Sequence, residues 1–404
     1  MKTSRALATD GGELLPYPTS ARAPQRRDEP VTTLPFSAKQ NNLDFVRLVL
    51  ALLVTFSHSY PLGSGSESRE PFFLLTRGQV TGGHIAVDLF FIISGFLIAA
   101  SAERSSTIWQ FLKKRVSRIY PAFCVLALIT VIVIFPLSSA SFATDRPAHN
   151  ALEVVLNTLA LREFPYQHAF MDNPKPNVIN GSLWSISYEF WCYVGVALLS
   201  LSGLLRSRRV LYSLFLASVA VSIFFDISGW APGGKILGII FGYPPIWARL
   251  LPMYMAGVVF YKSRNQVPTT RALILSCFGL LAIAAFVPHG WTVIFPVAGT
   301  YLVFAFAYHP AIPNLHGARF GDLSYGTYLY AFPVLQLIVH WIGHSVNPLV
   351  LFGLATPPTL LLALGSWHGI ERWFLQKSHS GDWGAVTLGV GRRDESMSPR
   401  QRRA

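Results

Sequence analysis

The chain has 404 residues, of which 51% are hydrophobic and only 13% charged, with a mean hydropathy of +0.41. Soluble domains carry about 25% charged residues, so this composition excludes an ordinary soluble domain and points to a polytopic membrane protein. The formal net charge of +13 does not signal nucleic acid, because the basic residues sit in short segments between apolar runs rather than in one patch interleaved with stacking aromatics.

The fold class expected is all-α, a polytopic integral membrane bundle of about ten transmembrane helices spanning residues 41–375. Residues 1–40 hold Pro, Thr, Ser and scattered Arg without an apolar run. They are expected to be a disordered tail with no secretory signal peptide, so the first span directs insertion. Residues 376–404, rich in Gly, Ser and Arg, are expected to be a second disordered tail. The apolar runs are Leu43–Leu62, Ile85–Ala100, Ile119–Leu137, Leu183–Leu201, Val210–Phe225, Ile246–Phe260, Ala272–Val287, Trp291–Ala307, Leu323–Trp341 and Pro348–Leu364. The sixth is the least secure, because Pro252 lies inside it. Basic connections (Arg104 to Arg118, Arg206 to Arg209, Lys262 to Arg271) alternate with connections of mixed charge, which places both termini in the cytoplasm of a cell-membrane protein.

The first run carries Asp44, Arg47 and His58. At about 100° per residue, Arg47 and His58 point within about 20° of each other and Asp44 within about 60° of both, so all three share one stripe. Arg47 and His58 lie about 16 Å apart along the axis, near opposite faces of the membrane. Ionisable groups in a span are costly and face a protein interior or a wet cavity by default. His58 is the best base on this stripe, and an adjacent carboxylate would orient it. The bland alternatives are an interfacial histidine and a snorkelling arginine paired with Asp44.

In the second run His84 and Asp88 are one turn apart, ahead of Phe90-Phe91-Ile92-Ile93-Ser94-Gly95, whose Ser94-Gly95 pair forms a notch for close helix packing. Arg115 and Arg118, at i and i+3, point the same way on a helix and suit the phosphates of a nucleotide-bearing donor. A topogenic basic loop near anionic lipid explains the same charges, and spacing alone favours it.

The connection Ser138–Ser182 holds Asp145, His149, His168 and Asp172, and suits a lid, a glycan-binding surface or a linker. Its Asn180-Gly181-Ser182 matches a glycosylation acceptor that abuts a membrane helix, and is taken as a chance match. The fourth span opens with Trp184 and places Glu189 about two turns in, as a second acid/base candidate or a hydroxyl-binding acceptor, or as a structural hydrogen-bond partner of Tyr188 or a neighbouring helix. The ninth opens Gly321-Asp322-Leu323-Ser324-Tyr325-Gly326-Thr327-Tyr328, whose tyrosines suit an interfacial belt. His340 and His344 are one turn apart, which is weak for a metal site. Cys124, Cys192 and Cys277 have no metal spacing and are expected to be buried. No internal repeat and no GxSxG, P-loop, dinucleotide or HExxH motif competes with these candidates.

Taken together, these blocks resemble the membrane-bound acyltransferase-3 family of integral-membrane O-acyltransferases. Arg47 followed by His58, the Phe90–Gly95 block, Arg115 and Arg118 before Ile119-Tyr120-Pro121, Trp184 to Glu189, Ser324 to Pro333, and Glu371-Arg372 occur in the family's order from Asn42 to Trp373. The resemblance implies transfer of an acyl group, usually acetyl, from cytoplasmic acyl-coenzyme A, a co-substrate rather than a bound cofactor. The acceptor it implies is a hydroxyl of a cell-surface or exported glycan or of a glycosylated small molecule. It makes His58 the base or acyl relay, Arg47 its partner, Arg115 and Arg118 the donor-binding pair, and leaves Asp88, Ser94, Gly95, Trp184, Tyr325 and Tyr328 to substrate binding or structure. It implies no metal.

The chain departs from the family in two places. Many relatives carry a histidine where this chain has Ala331, and some carry a C-terminal extracytoplasmic domain where this chain has a short tail. A glycan or lipid transporter and a non-catalytic scaffold remain the competing expectations.

Overall fold

The structure is a computed structural model that describes residues 41–139, 147–164, 168–232, 241–317, 319–343 and 345–379. Every one of the ten apolar runs folds as a helix. They are α1 (Leu43–Ser64), α3 (Gly82–Arg104), α4 (Ile108–Ile129, continued through a π turn to Ser138), α6 (Trp184–Leu201), α7 (Arg208–Ser228), α8 (Pro244–Ser263), α9 (Arg271–Phe286), α10 (Gly290–Tyr308), α11 (Ser324–Ile342) and α12 (Pro348–Ser366). Short helices α2 (Pro71–Leu75) and α5 (Pro147–Leu159) lie between them, and α13 (Arg372–His379) runs past the boundary expected at residue 375. The remainder of both expected tails lies outside the described residues.

By length and composition, α1, α3, the joined α4, α7, α10 and the stretch Pro348–Gln376 are long and apolar enough to cross a membrane, and α9 is apolar but shorter. Helices α6, α8 and α11 are of comparable length but more polar, because they carry Glu189, Arg249 and Gln336 together with several hydroxyls. Pro252 does not end α8. It sits buried inside a continuous helix, as membrane helices tolerate when neighbours cover the freed carbonyl.

Helix α1 packs on α3, α11 and α12, and α3 in turn packs on α8 and α6, so these two polar-striped helices occupy the middle of the bundle. The α3–α8 crossing is close enough to be a backbone contact. A Cβ added at Gly95 would stand 2.1 Å from the Tyr254 carbonyl oxygen, and one at Gly257 would stand 1.9 Å from the Ile92 carbonyl oxygen. Any side chain at Gly95 forces the helices apart, so Gly95→Ala is expected to destabilise the detergent-solubilised protein by about 1–3 kcal/mol, the usual range for overpacking. Gly279→Ala, on α9 with nothing within 4 Å, is the matched control and should leave the melting temperature unchanged or raise it.

The long connection after α4 is more than a linker. From Asn173 to Asn180 it lies along α11: Asn173 Nδ2 donates to the Gln336 backbone and side-chain oxygens, Gln336 Nε2 donates to the Lys175 and Val178 carbonyls, and Asn180 Nδ2 donates to the Leu329 carbonyl. Asn180 is buried with its amide committed, which removes it as a glycosylation acceptor. Asp145, the His149 side chain and His344 lie outside the described residues. Cys192 and Cys277 are buried as expected, but Cys124 is exposed on the outside of α4, because no helix among the described residues covers that face.

Candidate active site

A cavity of about 180 Å³ lies between α1, α3, α4, α6 and α11. Arg47, Ser94, Arg115, Arg118, Glu189, Tyr325 and Tyr328 line it, so seven of the residues singled out in the sequence share one chamber. Two facts of helix geometry bring them there. Arg47 stands one turn into α1 with its stripe facing α11, and Arg115 and Arg118 stand on consecutive turns of α4.

The two arginines of α4 have different surroundings. Arg118 Nη2 donates to Asp322 Oδ2 at 2.5 Å, and its Nη1 lies 3.7 Å from Glu371 Oε2. Glu371 itself accepts from Ser366 Oγ and sits in a π turn, Trp367–Glu371, that follows α12. Arg115 has no such carboxylate. Its Nη2 donates to Ser101 Oγ at 3.3 Å, its guanidinium lies 5.9 Å from the Phe111 and Tyr193 ring centroids, and its buried Nε has no hydrogen-bond partner among the described residues.

Arg47 also binds Asp322 Oδ2, at 2.6 Å. The pairing expected with Asp44 is therefore not made. Asp44 lies in the first turn of α1, where the helix dipole favours a carboxylate, but it neither caps the helix nor contacts Arg47 directly. Burial opposes ionisation of Asp322, but Arg118 and Arg47 overcome it and hold its carboxyl well below the usual carboxylate range.

Further along the cavity, Glu189 Oε1 accepts from Ser94 Oγ at 2.8 Å and from the Tyr193 hydroxyl at 2.6 Å. Of the two structural partners expected for Glu189, the one on a neighbouring helix is met by Ser94 of α3, whereas the Tyr188 hydroxyl accepts from the Tyr243 backbone N–H. Tyr325 and Tyr328 are not an interfacial belt. The Tyr325 hydroxyl donates to the Ile119 carbonyl, and the Tyr328 hydroxyl bonds the Ser182 carbonyl and Ser185 Oγ inside the bundle. Trp184 opens α6 beside Tyr188 but does not line the cavity.

His58 does not line the cavity either. Its ring packs edge-on against Phe332, with centroids 5.1 Å apart, and Phe332 stands one helical turn beyond Tyr328. Among the described residues no side chain hydrogen-bonds the His58 ring, so the orienting carboxylate expected for it is not there. Asp88 is committed elsewhere: its Oδ1 accepts from Arg249 Nη2 at 2.9 Å, and the same guanidinium nitrogen donates to the His84 carbonyl. Gly95 serves the helix crossing already described.

Sequence inspection assigned no role to Asp322, Tyr193 or Arg249, and gave Glu371 only a place in the family's block order. Asp322, Glu371 and Arg249 pair with residues on other helices, up to 275 positions away in the chain, which no local spacing reports. Tyr193 meets Glu189 four residues back on its own helix, a spacing open to inspection.

This is a multi-pass helical membrane protein with an arginine-lined chamber between its helices. Residues 40–368 match the family described as an acyltransferase domain, and the chain belongs to that acyltransferase-3 family, as an acyltransferase. It is 29% identical over 352 residues to the O-acetyl transferase of Shigella phage Sf6, covering 84% of this chain and 97% of that protein. It is 26% identical over 375 residues to nodulation protein 10 of Rhizobium leguminosarum bv. viciae, covering 83% and 93%. It is 27% identical over 286 residues to the acyltransferase MdmB of Streptomyces mycarofaciens, covering 66% and 70%. No solved structure matches the chain.

Proposed function

We propose that the protein transfers an acyl group, acetyl in the first instance, from cytoplasmic acyl-coenzyme A to a hydroxyl of a cell-surface or exported glycan. The observation that carries this reading is the shared chamber: three guanidiniums that suit an anionic donor, and hydroxyl and carboxylate groups that suit an acceptor, line the same space. Likeness to an O-acetyl transferase supports acetyl as the group moved. With the termini cytoplasmic, the Arg47 end of α1 faces the donor pool and the His58 end faces outward.

The thioester already carries an activated acyl group. The acceptor oxygen attacks its carbonyl carbon, the new C–O bond forms as the C–S bond breaks, His58 takes the hydroxyl proton, and coenzyme A leaves as the thiol. His58 sits beyond Tyr328 and Phe332 from the arginines, so on this reading the acceptor enters from the His58 side and the donor from the other.

The test is acceptor-dependent release of coenzyme A thiol in membranes bearing the protein, with mass spectrometry of surface glycans. Thiol release together with added acyl mass is expected. Glycan movement without thiol release would make the protein a transporter, and neither signal would leave a scaffold.

A further inference from the structure

We propose that Asp322 is the positioning residue of this site, holding Arg47 and Arg118 on the chamber wall and screening the chamber against over-tight binding of the anionic donor. The inference rests on the acyl-coenzyme A reading above. Its footing is geometric. The two oxygens of one carboxylate are divided between different tasks. Oδ1 accepts from the Ser324 hydroxyl at 2.6 Å and from the Ser324 backbone N–H at 3.3 Å, which ties it to the start of α11. Oδ2 then faces two guanidiniums from two other helices, Arg47 Nη1 and Arg118 Nη2.

The loop is shaped to deliver that carboxylate. Gly321 has φ +105°, and a Cβ there would meet the Trp367 indole nitrogen at 2.0 Å, so only glycine lets the chain turn against Trp367 immediately before Asp322. On the other side Tyr325 braces α11 to α4 through the Ile119 carbonyl, the residue after Arg118. Asp322 therefore joins α1, α4 and α11 at one point, with only 14% of its side chain exposed.

A bridge built for stability alone would have no reason to put both guanidiniums on the cavity wall, yet both line it. Each keeps further N–H groups, while one negative charge stands between them. That charge fixes where the guanidiniums point, and it repels an incoming phosphate. Removing it while keeping the shape should therefore separate affinity from turnover.

The experiment compares wild type, Asp322→Asn and Asp322→Glu as folded, size-exclusion-purified protein in detergent, with coenzyme A as the binding probe and acceptor-dependent thiol release as the activity. Asp322→Asn is expected to bind coenzyme A about three- to tenfold more tightly, because a repulsive charge has gone. Its turnover is expected to fall about 10²-fold, the cost of a misplaced catalytic group. Asp322→Glu keeps the charge, so its affinity should stay within about twofold of wild type while turnover falls about tenfold.

Weaker or unchanged coenzyme A binding in Asp322→Asn would overturn the proposal, as would full turnover in Asp322→Glu. Loss of folded protein alone cannot tighten binding, so a merely structural role would not reproduce the expected pattern. Wild-type protein that neither binds coenzyme A nor releases its thiol would sink the functional reading itself, whatever the variants do.

Discussion

Replacing His58 by alanine is expected to lower transfer about 10²–10⁴-fold, the contribution of a positioned general base, with folded protein recovered in normal yield. The second half of that expectation comes from the surroundings. His58 is half-buried, its ring packs edge-on against Phe332, and no described side chain depends on it for a hydrogen bond. Truncation therefore orphans no buried partner, which is the usual cause of a large loss of stability. Glycan O-acetylation and thiol release measured in membranes carrying His58→Ala provide the check. Wild-type levels of both would remove His58 from the mechanism and make it an interfacial histidine. A fall in yield that matches the fall in activity would assign it to packing.

The second large effect is an inequality between Arg115 and Arg118. Arg115 lines the cavity without a carboxylate partner, and its Nε is buried and unsatisfied among the described residues. It is the guanidinium most available to a donor phosphate. A charge-assisted hydrogen bond contributes about 1.5–3 kcal/mol, so Arg115→Ala should raise the donor KM roughly 10- to 100-fold with a smaller change in kcat. Arg118→Ala should behave differently. It leaves Glu371, only 2% exposed, without its cation and Asp322 with Arg47 alone. Breaking a buried pair by removing one partner costs about 3–5 kcal/mol, so Arg118→Ala should melt well below Arg115→Ala, a loss of stability that Arg115→Ala does not share. Donor KM, coenzyme A affinity and melting temperature of the two single variants decide the matter. An unchanged donor KM in Arg115→Ala would return that residue to a topogenic role.

These predictions draw on different depths of information. The ten helical segments were legible in the sequence as apolar runs, and each run proved to be a helix, six of the described helical stretches being long and apolar enough to cross a bilayer. The stripe of α1 was legible for the same reason that any helical face is: 3.6 residues per turn fixes which side chains point together. The sequence by itself thus placed Arg47 on a face that looks inward, placed Arg115 and Arg118 on consecutive turns, and marked Gly95 as a packing notch.

Which groups meet across that interior was decided only by the tertiary structure. Arg47 passes over Asp44, three residues away on its own helix, and takes Asp322 from a loop 275 positions distant. Arg115 and Arg118 share a helix face but not an environment, because α11 and the turn after α12 present carboxylates to one and not to the other. His58 shares the stripe of Arg47 yet stands outside the chamber, with Phe332 against its ring. Periodicity is a property of one helix. Ion pairing and cavity lining belong to the contacts between helices, and those are fixed by how residues such as Gly95 and Gly257, which have no side chain, allow the backbones to approach.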